Sequence, residues 1–196
     1  MNRIEAALRR AATDLNRYGR PWGLVGGLAV SARAEPRFTR DVDIAVAVED
    51  DIGAQELVRH LLGDRYILSG TVEHDNGRLA SVRLRREIDD VDVVVDLLFA
   101  NSGIETEVAR AAESIEIVAG LTLPVARTGH LLALKLLARD DAWMPQDLAD
   151  LHALRSVATP ADLTLAEDAV RLIMDRGFNR GRDLVSALRA LNAEQT

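Results

Sequence analysis

The sequence reads as an α+β protein, a mixed or antiparallel sheet flanked by helices with a helical C-terminal half. Apolar residues recur at helical spacing near the start, as Ile4, Ala7, Leu8, Ala11 and Leu15. Three β-rich runs, over 66–71, 79–86 and 91–99, follow one another with only turns between them, at Asp75-Asn76-Gly77 and near Asp89-Asp90. Strands joined that closely pair antiparallel, because a parallel crossover needs a dozen residues or more. From residue 127 the apolar pattern turns helical and stays so.

The elements follow in order. The first stripe predicts a helix over 3–17, stopped by Gly19, Pro21 and Gly23. A short strand over 22–25 runs into Gly26-Gly27, and a small helix follows over 28–34. Residues 41–48 hold Val42, Ile44, Ala45, Val46 and Val48 behind two acids, the pattern of a central strand. An amphipathic helix over 51–62 precedes the three strands. Thr128 is the expected N-cap of a helix through 139, Pro145 starts the next, and Thr159-Pro160 starts a third as N-cap and first-turn proline. A final helix over 182–191 follows the break at Gly177 to Gly181. The expected organisation is a sheet domain over 1–126 and a helical region over 127–196 packed on it as one unit.

At 196 residues the chain can bury a core of ordinary size. Cysteine is absent, which excludes disulfides, thiolate metal sites and cysteine nucleophiles. The charged N-terminal stretch is unlike a secretory leader and no apolar run spans a membrane, so a cytoplasmic protein without membrane contact is expected. A net charge of -7 argues against a broad basic face that coats nucleic acid, and leaves room for a local strip. Arg78, Arg83, Arg85 and Arg86 sit on or beside one strand. A charge-protected edge strand is the favoured reading of them, and a surface for a polynucleotide backbone is the other. His130 and His152 stand alone on apolar helices and read as core or boundary histidines.

Chemistry gathers around Asp41-Val42-Asp43-Ile44. In a strand both acids project from one face, about 7 Å apart. Such a pair is costly beside Ile44 and Val46 unless a hard cation such as Mg²⁺ neutralises it. Asp92 and Asp96 share a face of the 91–99 strand. Asp96, set in the β-branched run, is the expected third ligand, and Asp92 lies close to the turn. Gly26-Gly27 leaves free backbone amides at a helix start, a seat for phosphate. Lys135, the one lysine in the chain, lies among leucines, and Asp147 and Asp150 share a helical face downstream.

Strand, Gly-Gly, short helix, loop and then Asp-x-Asp on a strand, over about 22–98, resembles the signature of the DNA polymerase beta-like nucleotidyltransferases. Val25-Gly26-Gly27-Leu28-Ala29-Val30 together with Arg37-Phe38-Thr39-Arg40-Asp41-Val42-Asp43 looks like the AbiEii-like (abortive infection) nucleotidyltransferase toxin group. His130 to Lys135 and Asp147 to Asp150 extend the likeness to about residue 155. The resemblance implies that Asp41, Asp43 and Asp96 hold two Mg²⁺ and are catalytic, and that Gly26, Gly27, Ser31, Arg40, Lys135, Asp147 and Asp150 serve the NTP. Many superfamily members carry serine where this chain has Gly27, which leaves backbone amides or Ser31 to meet the phosphates.

The resemblance also implies a nucleotide transferred from an NTP to an RNA acceptor, the 3′ end of tRNA, by the toxin of a toxin-antitoxin or phage-defence pair with an antitoxin protein as partner. Two alternatives share parts of the pattern. One is a small-molecule nucleotidyltransferase of the aminoglycoside or lincosamide type. The other is a nucleotidyltransferase-fold antitoxin or binding module that modifies a partner protein.

Overall fold

Ala7, Leu8, Ala11 and Leu15 are all buried, and they close a first helix, α1 (Arg3–Arg17), onto the sheet. The computed structural model describes residues 3–39, 41–88, 91–139 and 145–194. After α1 come β1 (Trp22–Leu24), α2 (Gly26–Arg33), β2 (Val42–Val46), α3 (Asp51–Gly63), β3 (Ile67–Glu73), β4 (Leu79–Ile88) and β5 (Val91–Leu98). They are followed by α4 (Glu105–Arg110), β6 (Glu113–Val118), β7 (Leu121–Val125), α5 (Thr128–Ala138), α6 (Pro145–Val157), α7 (Pro160–Asp175) and α8 (Leu184–Ala193).

The strands form one mixed sheet in the order β3-β4-β5-β2-β1-β7-β6. β2 runs parallel to β5 and β1 parallel to β7, and the other neighbours are antiparallel. The parallel β2–β5 pair lies at the centre, where Val42, Ile44 and Val46 bury one face of β2 and Val95 and Leu97 the matching face of β5. α5 packs on α6 and α7, and α2 rests against α5 and α6. Among the described residues no helix is long and apolar enough to cross a membrane.

Several sequence expectations change. α2 starts at Gly26 itself, two residues early, because the glycines form the first turn of the helix. Thr128 is the first residue of α5 and caps nothing; Arg127 holds the cap position and Thr128 is buried. β4 is not an edge strand: β3 covers it, and β3 is exposed along its length. α4, β6 and β7 occupy a stretch to which the sequence reading assigned no element. His152 is exposed beside Glu194, not at the core boundary. The turn expected at Asp89-Asp90 lies outside the described residues.

Other signals correspond to contacts. Thr159 and Asp162 form a capping box with Pro160 in the first turn of α7, satisfying amides that the helix leaves open. Arg86 reaches through β4 to the fully buried Asp14 of α1 at 3.1 Å and lies over the Tyr66 ring, 4.9 Å from its centroid. That arginine ties helix to sheet.

Candidate active site

Asp43 on β2 and Asp96 on β5 are register partners in the central parallel pair, so their side chains leave the same face of the sheet. Asp41 stands one residue before β2, at the open end, with its side chain 44% exposed against 14% for Asp96. Asp43 lies against the backbone of Gly26. A Cβ on that glycine would stand 2.0 Å from Asp43 Oδ2, and its φ of +63° also favours glycine. Burial pushes the Asp43 carboxyl up to about 6, helped by Asp96 and Asp41, while Lys135 and Arg83 pull it back.

Arg83 of β4 faces Asp96 across the antiparallel pair and grips it with two bonds, Nε to Oδ1 at 2.8 Å and Nη2 to Oδ2 at 2.6 Å. The same Nη2 lies 3.4 Å from Asp41 Oδ2. The arginine is thus the counter-charge of the carboxylate cluster. Among the described residues no three acid or imidazole groups converge at metal-ligand spacing. The donor chemistry nevertheless fits a divalent cation: three hard carboxylates share one face, one of them seated in a cradle that only glycine leaves open.

Gly27 has a close neighbour of its own in the loop after α2. A Cβ there would sit 2.6 Å from Arg37 Nη2, so this position makes room for a guanidinium. Ser31 holds the same loop: its single hydroxyl proton has Gly27 O at 3.0 Å and Arg37 O at 3.3 Å as acceptors, and the hydroxyl oxygen accepts from Arg37 N at 3.2 Å. Arg37 pairs with Asp150 of α6 through Nε at 2.7 Å and Nη2 at 2.8 Å. Lys135 of α5 completes a chain of charges, with Nζ 2.7 Å from both Asp147 and Asp150. Burial pushes the Asp150 carboxyl up, but the hydrogen bonds from Lys135 and Arg37 outweigh it and hold the group below the ordinary carboxylate range.

Lys135 and Asp43 meet across a cleft of about 240 Å³. Its walls include Gly26, Asn101, Ser102, Glu105 and Arg180 beside Leu98, Leu131, Leu134 and Leu137. Glu105 is 2% exposed and accepts from the amide and hydroxyl of Ser102 at 2.6 and 2.8 Å.

Of the residues singled out from sequence, Asp43, Gly26 and Lys135 line the cleft, while Asp96 stands in register beside Asp43 and Asp41 reaches Asp96 through the shared Arg83. Gly27, Ser31, Asp147 and Asp150 stand one layer back, in the charge network and its loop. Arg40 lies outside the described residues. Sequence reasoning gave no role to Arg37, Ser102, Glu105 or Arg180, and misread Arg83. The Arg83–Asp96 pairing was open to anyone who aligned the two strands in antiparallel register, whereas Arg180 comes from far along the chain.

The sequence profile of a family described as nucleotidyl transferase AbiEii toxin, type IV TA system, matches residues 7–195. No curated protein matches the sequence. Among solved structures, the antibiotic-resistance factor ANT(2″)-Ia in solution is similar at 17% identity and a TM-score of 0.46, over 100% of this chain and 94% of that one. ANT(2″)-Ia in complex with adenylyl-2″-tobramycin is similar at 16% and 0.46, over 97% and 98%. A Thermotoga maritima protein assigned as a nucleotidyltransferase is similar at 18% and 0.49, over 76% and 96%. With the profile spanning nearly all of the chain, carboxylate strands and charged helices alike, this protein belongs to the AbiEii nucleotidyltransferase toxin family.

Proposed function

We propose that the protein transfers a nucleotide from an NTP to an RNA acceptor, the 3′ end of tRNA, in an Mg²⁺-dependent reaction, and acts as the toxin of a toxin-antitoxin or phage-defence pair. The observation that carries this reading is the meeting of Asp43, Gly26 and Lys135 at one cleft, with Asp96 in register beside Asp43. Residues 1–126 supply the carboxylates and 127–196 the lysine.

Asp41, Asp43 and Asp96 would hold the two Mg²⁺ ions, which when bound neutralise triphosphate charge and favour the ionised acceptor hydroxyl. Gly26, without a Cβ, lets Asp43 lie against the backbone at the start of α2, whose first amides would meet the phosphates. Lys135 adds positive charge on the far wall, kept in place by Asp147 and Asp150. The acceptor oxygen forms a bond to the α-phosphorus, the bond from that phosphorus to the α–β bridging oxygen breaks, and pyrophosphate leaves. The hydroxyl proton passes to a carboxylate of the cluster.

The test is incubation of the protein with Mg²⁺, total tRNA and each α-labelled NTP in turn, beside Asp43→Ala. Label on tRNA that depends on Asp43 is the expected result. Label on no RNA, from protein that still binds NTP, would overturn the RNA acceptor.

A further inference from the structure

A second pocket, of about 510 Å³, opens between the β3–β4 turn and the α7–α8 connection, and Asn101 and Arg180 line both it and the cleft that holds Asp43. Three arginines, Arg78, Arg176 and Arg180, line it against a single carboxylate, Asp75. Arg176 is committed, donating to Gly103 O and to Glu107 Oε1. The Arg78 guanidinium has no acid partner among the described residues, and Arg180 meets only the neutral Asn101 Oδ1, at 3.3 Å. Two guanidinium charges are therefore unspent at one mouth, on a chain whose net charge is -7.

The back wall is built, not loose. Phe178 packs so tightly on Gly103 that a Cβ there would come within 2.5 Å of its ring. It meets His74 edge to face at 5.2 Å, and His74 Nε2 is tied to Ala100 O at 2.7 Å. Arg180 holds a φ of +53°, a conformation disfavoured for any residue with a Cβ, and backbone strain of this kind concentrates at functional sites.

We propose that this pocket seats one nucleotide of the acceptor RNA strand, with its phosphate on Arg78 and Arg180 and its base or ribose against the Phe178 wall. The inference rests on the RNA-acceptor reading above and deepens it. Guanidinium groups beside an aromatic side chain match the two chemical faces of a nucleotide, the anionic phosphate and the π surface. A local basic mouth on an acidic protein draws in a polyanion and repels a polycationic small molecule.

The experiment measures affinity for the labelled RNA substrate, by fluorescence anisotropy at several salt concentrations, for wild type, Arg78→Ala, Arg78→Lys and Arg78→Ala/Arg180→Ala. NTP affinity and melting temperature are recorded for each. Arg78→Ala is expected to weaken RNA binding about fivefold or more and to reduce the salt slope by about 1, with further loss in the double variant and partial retention in Arg78→Lys. NTP affinity of Arg78→Ala stays unchanged. Folded variants with wild-type RNA affinity and salt slope would overturn the pocket while leaving the RNA-acceptor reading intact. Wild-type protein that neither binds nor labels RNA would overturn both.

Discussion

Asp43 is held where an ionised carboxylate is costly, buried, pressed on the Gly26 backbone and flanked by Asp41 and Asp96. Its raised pKa means that ionisation at neutral pH works against the fold, so Asp43→Asn is expected to abolish nucleotide transfer while raising the melting temperature at pH 7. Thermal unfolding beside the labelling assay checks both; a lower melting temperature would show that the charge is already compensated. Lys135 has the opposite balance. It neutralises two buried carboxylates, so Lys135→Ala should weaken NTP binding and also cost about 3 kcal/mol of stability. Adding Asp147→Asn to that variant should restore part of the stability and none of the NTP affinity. Denaturant unfolding and nucleotide titration separate the two effects.

Strand pairing, and not edge protection, accounts for Arg83. β4 lies inside the sheet and its register sets Arg83 opposite Asp96, where a bidentate pair forms without other rearrangement. A guanidinium on those carboxylates competes with a cation, so Arg83→Gln is expected to raise the affinity for Mn²⁺, used as a probe for Mg²⁺, by about tenfold, or ~1.4 kcal/mol. Calorimetric titration without nucleotide reads this directly, and unchanged affinity would mean that the arginine does not compete. α6 and the loop after α2 meet in a similar way. Arg37 and Lys135 both reach Asp150, which ties the loop after α2 and the lysine-bearing α5 to α6.

His130 bears on the stability of the whole fold. It is 4% exposed on α5, its Nδ1 has no hydrogen-bond partner among the described residues, and burial, with Arg127 adding to it, pushes its pKa down to about 4. The unfolded chain binds a proton near pH 6.5 that the folded chain refuses, so stability falls as pH drops from 6.5 toward 4, by up to about 3 kcal/mol from this residue. His130→Leu should flatten that part of the stability profile; denaturant midpoints for both proteins across the range test it. Much of the architecture was legible in local pattern. Helical stripes, β-branched runs, the Thr159-Pro160 start and Asp-x-Asp on a central strand all rest on interactions within a few residues, and the family signature rests on the same segments. In the stretch 100–126 the helix α4 is too short to show a stripe, whereas β6 and β7 do carry a period-2 signal, with Ile115 and Ile117, then Leu121, Leu123 and Val125, alternating around the turn at Gly120, which the reading by longer apolar runs passed over. Arg83 beside Asp96, Arg37 in the space over Gly27, and Asn101 with Arg180 joining two pockets depend on strand order and helix docking, which bring together side chains that no spacing along the chain relates.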